Sequence, residues 1–129
     1  MHKSRLAGFI IDCNTGDLEG AARFWSAALG QPLKDAATEP SPLYRQLETG
    51  PNGLHIEVQQ VQHESRVHLD IETDDIEAEV RRLEGLGAKR VQQIHTWWVM
   101  EAPTGQRFCV VRPQRADFAT SANTWDELK

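Results

Sequence analysis

Imidazole, carboxylate and thiol groups are what this 129-residue chain offers for chemistry: five histidines, two cysteines and nineteen acidic residues. Three stand out because they interrupt apolar, strand-like runs. His68 lies in Val67-His68-Leu69-Asp70-Ile71, Glu57 in Leu54-His55-Ile56-Glu57-Val58-Gln59, and Cys109 in Arg107-Phe108-Cys109-Val110-Val111. Side chains alternate between the two faces of a strand, so His68 shares a face with Asp70, Glu57 with His55 and Gln59, and Cys109 with Arg107 and Val111. One imidazole, one carboxylate and one thiol, as His68, Glu57 and Cys109, could hold a divalent metal while leaving positions open for a substrate. Glu57 and His68 are also the catalytic candidates, since either can move a proton.

Each of these residues has a plainer reading. His68 could line a cavity bonded to Asp70 or to a neighbouring strand. Glu57 is disfavoured inside a strand, and an edge or a solvent-facing side would explain it as well as a function does. Cys109 could be a small buried hydrophobe. His55 could join Glu57 and His68, but a two-residue step along a strand displaces its side chain by about 7 Å, which places it behind Glu57.

The elements that must position these residues come in two copies. At an offset of 58, Phe9 to Glu19 aligns with Val67 to Glu77, with Asp12/Asp70, Thr15/Thr73, Asp17/Asp75, Glu19/Glu77 and, further on, Arg23/Arg81 identical. Each copy opens with an alternating strand and passes to a helix. Thr15 or Asp17 in the first copy, and Thr73 or Asp74 in the second, are the expected N-caps. Leu18, Ala21, Ala22, Trp25 and Leu29, then Ile76, Val80, Leu83 and Leu86, recur at helical spacing, and Gly30 and Gly87 stop the helices. Three short strands follow each: Pro32 to Lys34, Leu43 to Glu48 and Leu54 to Val61, then Lys89 to His95, Trp97 to Glu101 and Arg107 to Arg112. Turns fall at Pro51-Asn52-Gly53 and Pro103-Thr104-Gly105, and residues 35–42 read as a loop.

The expected architecture is therefore α+β: two tandem βαβββ units, about 6–61 and about 66–112, with a polar C-terminal tail over 113–129 that Phe118 and Trp125 would anchor. Curved mixed sheets would enclose a cavity, with helices outside. Phe9, Ile11, Val67, Leu69 and Ile71 form the expected helix-facing set, which puts Ile10, Asp12, His68 and Asp70 on the opposite, concave face. A polar face inside a curved sheet is where a ligand would sit. Equivalent inward positions are then Ile10, Glu57, His68 and Cys109. One of Trp97 and Trp98 should be core while the other walls the pocket. Tyr44 and Arg45 alternate in the same way.

Composition excludes several classes. Apolar residues are 40% and charged residues 26%, ordinary globular usage, and no apolar run approaches a membrane span. The net charge of −5 and the absence of a basic stripe argue against nucleic acid as a partner. No signal peptide is read at the start. Cys13 and Cys109 belong to no CxxC pair, and the expected compartment is the reducing cytoplasm.

Three segments carry a resemblance to a known family. Arg66 to Ile76, Trp98 to Val111 with its Ala102-Pro103-Thr104-Gly105-Gln106 turn, and Ala22-Arg23-Phe24-Trp25-Ser26-Ala27-Ala28-Leu29-Gly30 resemble glyoxalase-like members of the vicinal oxygen chelate superfamily over roughly residues 6–112. The resemblance implies a divalent metal held by residues of the first and last strands of each unit. His68 matches the second unit's first-strand ligand, and Glu57, or Gln59 if the register shifts by two, the first unit's last-strand ligand. Cys109 stands where a Glu is usual. Ile10 stands where a ligand is usual and cannot ligate. The implied function is isomerase, lyase or dioxygenase chemistry on a small oxygen-rich or aromatic molecule, with an incomplete metal site. Tyr44, Asp70, Trp97, Trp98 and Arg107 would contact that molecule. The alternative is a metal-free protein that binds or sequesters a small molecule. A homodimer is the expected assembly.

Overall fold

The computed structural model describes residues 1–126. Among the described residues, three α-helices and eight strands give a mixed α+β fold. It divides into two compact units: Phe9–Val67, and a second that joins Met1–Gly8 to the chain from His68 onward. Strand β1 (His2–Asn14) is longer than the sequence pattern indicates and contributes to both. No helix among the described residues is long and apolar enough to cross a membrane.

In the unit Phe9–Val67, helix α1 (Leu18–Leu29) starts at Asp17, whose carboxylate accepts from the Gly20 N–H at 3.0 Å. It ends at Gly30, which takes the left-handed conformation that glycine adopts without a Cβ penalty (φ 68°). The apolar stripe of α1 lies over β2 (Tyr44–Gln46) and β3 (His55–Val61), an antiparallel pair. Leu18 and Ala22 meet Val58, while Ile11, Leu47 and Ile56 form a second cluster with Trp25 against it. These are the alternate residues of their strands, so the other face of β2 and β3 is free to carry polar side chains. The strand expected at Pro32 to Lys34 is only a single bridge, Leu33 to Leu47. Pro32 has no N–H to extend a ladder. Residues 35–42 are loop apart from one 3-10 turn (Ala36–Thr38) capped by Asp35.

The second unit holds β4 (Arg66–Thr73, all but its first two residues), α2 (Ile76–Gly85), β5 (Lys89–Ile94), β6 (Trp97–Glu101), β7 (Arg107–Val111), α3 (Phe118–Ser121) and β8 (Asn123–Trp125). β4 and β7 run parallel, β5, β6 and β7 alternate antiparallel, and β8 pairs with the start of β1. The N-cap of α2 is Asp75, not Thr73 or Asp74; its Oδ1 accepts from the Ala78 N–H at 3.0 Å. Asp74 is occupied elsewhere, accepting from the Lys3 N–H at 2.8 Å, and Thr73 Oγ1 accepts from the Asp75 N–H.

Helix α2 packs on β5, β6 and β7. Its Val80 and Leu83 close a core with Met100 and Val110, flanked by Ile71, Trp98 and Phe108. That placement corrects one expectation. Ile71 packs on the core, but Val67 and Leu69 are 58% and 51% exposed, because α2 covers the later strands and leaves the start of β4 open. The anchors expected in the C-terminal segment are in place. Phe118 is buried, and Trp125 donates from Nε1 to Ser4 Oγ at 2.8 Å.

Candidate functional site

The second unit brings three donors of different chemistry to one place. His68 and Asp70 are two apart on β4 and so project from one face. The parallel register sets Asp70 beside Cys109 of β7. Neighbouring residues in a sheet point the same way, so the thiol joins the imidazole and the carboxylate. One ligand atom from each of the three lies within 4.8 Å of the others. Asp70 is buried, and His68 and Cys109 are half-buried. His68 Nε2 is 3.6 Å from Asp70 Oδ1, an ion-pair distance longer than a hydrogen bond. The group therefore has the spacing of ligands around a common point. Two of its members are expected metal ligands. The third, Asp70, is expected only as a substrate contact, although its two-residue spacing from His68 already puts both on one face.

Glu57 belongs to the other unit and has its own partners. Gln46 pairs with Glu57 and Tyr44 with Gln59 across β2 and β3, so Tyr44, Gln46, His55, Glu57 and Gln59 share the face turned away from α1. All five are half-buried. Glu57 Oε1 lies 2.7 Å from His55 Nε2, and Gln46 Nε2 lies 3.0 Å from His55 Nδ1. Gln59 Nε2 donates to the Tyr44 hydroxyl at 3.2 Å. Glu39 closes one side, accepting from the Gln46 N–H at 2.8 Å. Burial pushes the Glu39 carboxyl above its ordinary value; the Gln46 bond opposes this, and the nearby Glu57 adds to it. An open hollow of about 540 Å³ reaches this face at Gln46 and is bounded otherwise by residues 32–35, 38 and 48. Sequence reasoning ranks His55 behind Glu57 and gives Gln46 no role. Their link depends on the β2–β3 register, which no local pattern encodes.

The remaining candidates sit as follows. Arg45, on the α1 side of β2, is buried and pairs with Glu19 and the Lys34 carbonyl. Ile10 is 5% exposed. Arg107 donates to Glu101 across the β6–β7 ladder at 3.2 Å. Trp98 packs against the Val80 core with the Arg90 guanidinium 5.1 Å from its ring centre. Trp97 is half-buried and touches the exposed His95 at the hairpin turn, where φ is 51°.

The model of the glyoxalase-like domain family matches residues 8–111, four-fifths of the chain. The chain belongs to the glyoxalase-like domain family. Among solved structures, a hypothetical protein from Bacillus halodurans C-125 is 13% identical over 98% of both chains, with a TM-score of 0.59. A Streptomyces coelicolor methylmalonyl-CoA epimerase variant in complex with 2-nitronate-propionyl-CoA is 13% identical over 94% of this chain and 98% of its own, at 0.54. A methylmalonyl-CoA epimerase in complex with methylmalonyl-CoA and NH4+ is 12% identical over 88% and 98%, at 0.53. At such identities these likenesses establish the fold, and they agree with the family assignment. No curated protein matches the sequence of this glyoxalase-like chain.

Proposed function

We propose that this glyoxalase-like protein is a metal-assisted enzyme for a small oxygen-rich molecule, with a divalent transition metal held by His68, Asp70 and Cys109. The observation that carries the reading is the convergence of those three donors within 4.8 Å. The donor set fits the group. Nitrogen and sulfur ligands suit zinc, iron or cobalt, whereas calcium and magnesium prefer oxygen throughout. Three protein ligands are also the number that leaves coordination positions for substrate. When bound, such a metal polarises a substrate oxygen and stabilises the anion that forms on it.

The chain's own residues have distinct tasks in this reading. Cys109 must give up its proton to ligate, so affinity falls as pH drops. His68 ligates through one ring nitrogen and stays neutral. Within the unit Phe9–Val67, Glu57 is the group that can move a proton and Tyr44 is its candidate substrate contact; within the unit of the metal ligands, Trp97 and Arg107 are the candidate contacts, since Trp98 packs in the α2 core. The acyl-CoA molecules held by the epimerases of this fold favour a carbonyl compound as the ligand class.

Metal analysis by mass spectrometry tests this on untagged protein dialysed against zinc, iron, cobalt, nickel and manganese in turn. One equivalent in the wild type, lost in His68→Ala and in Cys109→Ser, is the expected result. No metal in any sample, or full occupancy in both variants, overturns it. Ile10 favours the second reading, a metal-free protein that binds or sequesters a small molecule, because a buried alkyl side chain occupies a position where the family resemblance implies a ligand.

A further inference from the structure

We infer that His55 is the positioning residue for Glu57: it grips one oxygen of the carboxylate and leaves the other for a proton of the bound molecule. The inference rests on the reading of Glu57 as the proton-moving group and adds the residues that hold it in place. The geometry lies within one hairpin. His55 and Glu57 are two apart on β3, and Gln46 is the register partner of Glu57 on β2. An amide nitrogen can only donate, so Gln46 Nε2, at 3.0 Å, makes His55 Nδ1 the acceptor. The ring proton must then sit on Nε2, where it donates to Glu57 Oε1 at 2.7 Å. Both ring nitrogens are thereby committed, and the imidazole does not itself reach a ligand.

The other oxygen of Glu57 is in a different position. Among the described residues nothing hydrogen-bonds to Oε2, and the side chain keeps 17% of its surface exposed. A carboxylate fixed at one oxygen and open at the other has the arrangement of an aimed proton acceptor. In the step this serves, a C–H bond next to a carbonyl of the bound molecule breaks. Its proton forms an O–H bond at Glu57 Oε2, and the electron pair stays on the molecule as an enolate. His55 keeps its Nε2 proton throughout, and Gln46 keeps the ring in that tautomer.

Nitrogen-15 NMR of the imidazole rings, together with side-chain coupling constants for Glu57, tests this on the metal-free full chain at neutral pH. Expected in the wild type are the Nε2–H tautomer for His55, with Nδ1 well downfield as a bare acceptor, and a single χ1 rotamer for Glu57. Gln46→Leu should mix the two tautomers of His55, and His55→Ala should convert Glu57 to a rotamer average. An Nδ1–H tautomer in the wild type, or a Glu57 that stays in one rotamer in His55→Ala, overturns the inference. Should His55→Ala fail to fold, the wild-type tautomer and its response to Gln46→Leu still decide. Neither readout depends on metal or substrate, so loss of the metal reading leaves the result intact. A failure of Glu57 itself would show separately, as turnover that survives Glu57→Gln.

Discussion

Glu79 is fully buried on α2, and every described interaction of its carboxylate is with a side chain. Arg82 donates to both oxygens, from Nε at 2.9 Å and from Nη2 at 2.8 Å, and His2 Nε2 lies 2.7 Å from Oε1. The Arg82 guanidinium in turn stacks 4.0 Å from the centre of the Trp125 ring. Burial pushes the Glu79 carboxyl up, but the bonds from Arg82, His2 and Ser4 outweigh it and hold the group below its ordinary value. A carboxyl depressed in the folded state contributes stability above its unfolded pKa and loses it as pH falls through the folded value. The contribution of Glu79 is therefore complete at neutral pH and declines below about pH 4.5. Glu79→Gln should cost about 3 kcal/mol at neutral pH, because Arg82 and His2 lose a buried anion. Thermal unfolding followed from pH 7 to pH 3 should show the wild-type and variant curves converging on the acid side. Parallel curves would mean that another group carries the acid dependence.

Among the elements, the two helices separate what is local from what is not. Asp17 is readable as an N-cap because an Asp preceding an apolar helical stripe is a local signal, and the Gly20 N–H answers it. In the second copy the expected caps are Thr73 or Asp74, whereas the cap is Asp75, the repeat equivalent of Asp17, and Asp74 accepts instead from the Lys3 N–H on β1. Asp17→Ala and Asp75→Ala should each cost about 1 kcal/mol, whereas Asp74→Ala should leave α2 capped and cost less than Asp75→Ala. Urea unfolding of the three variants checks that order. The same distinction governs the strands and the site. Alternation reveals β3, β4 and β7, and the His68/Asp70 and His55/Glu57 spacings with them. It is silent on the parallel β4–β7 register that sets Cys109 beside Asp70, and on the β2–β3 register that sets Gln46 against Glu57. It also misplaces Val67 and Leu69, because periodicity states which side chains share a face and not how far a helix extends over it.

At the scale of the whole chain, the start of β1 and the segment after β7 are fastened together in the unit that contains the His68 group. Glu72, on β4 and fully buried, accepts from Arg5 Nε at 2.7 Å and from the backbone N–H groups of Gln114 and Arg115. Arg5 also donates to Asp117 at 2.6 Å, whose carboxyl is lowered chiefly by that bond. One buried carboxylate thus ties the start of β1 to the segment that follows β7, and two aromatic residues extend the attachment: the Arg5 guanidinium lies 5.8 Å from the centre of the buried Phe118 ring, and the Trp125 indole donates to Ser4. A chain ending at Arg112 would remove the two backbone donors and leave Arg5 as the described hydrogen-bond partner of a buried anion. Stripping partners from a buried charge costs about 3–5 kcal/mol, which for a domain of this size is a fall in Tm of roughly 10 to 20 °C. If Glu72 is the clamp, removing its charge must make the tail matter less. Glu72→Gln in the full chain should destabilise it and speed exchange of the Gln114 and Arg115 amides. In the shortened chain the same substitution should cost markedly less, so the double change falls short of the sum of the single ones. Additive losses would show that the tail is held by its other ties, the Arg5–Asp117 bond, the β1–β8 pairing, Phe118 and Trp125, and that Glu72 serves only Arg5.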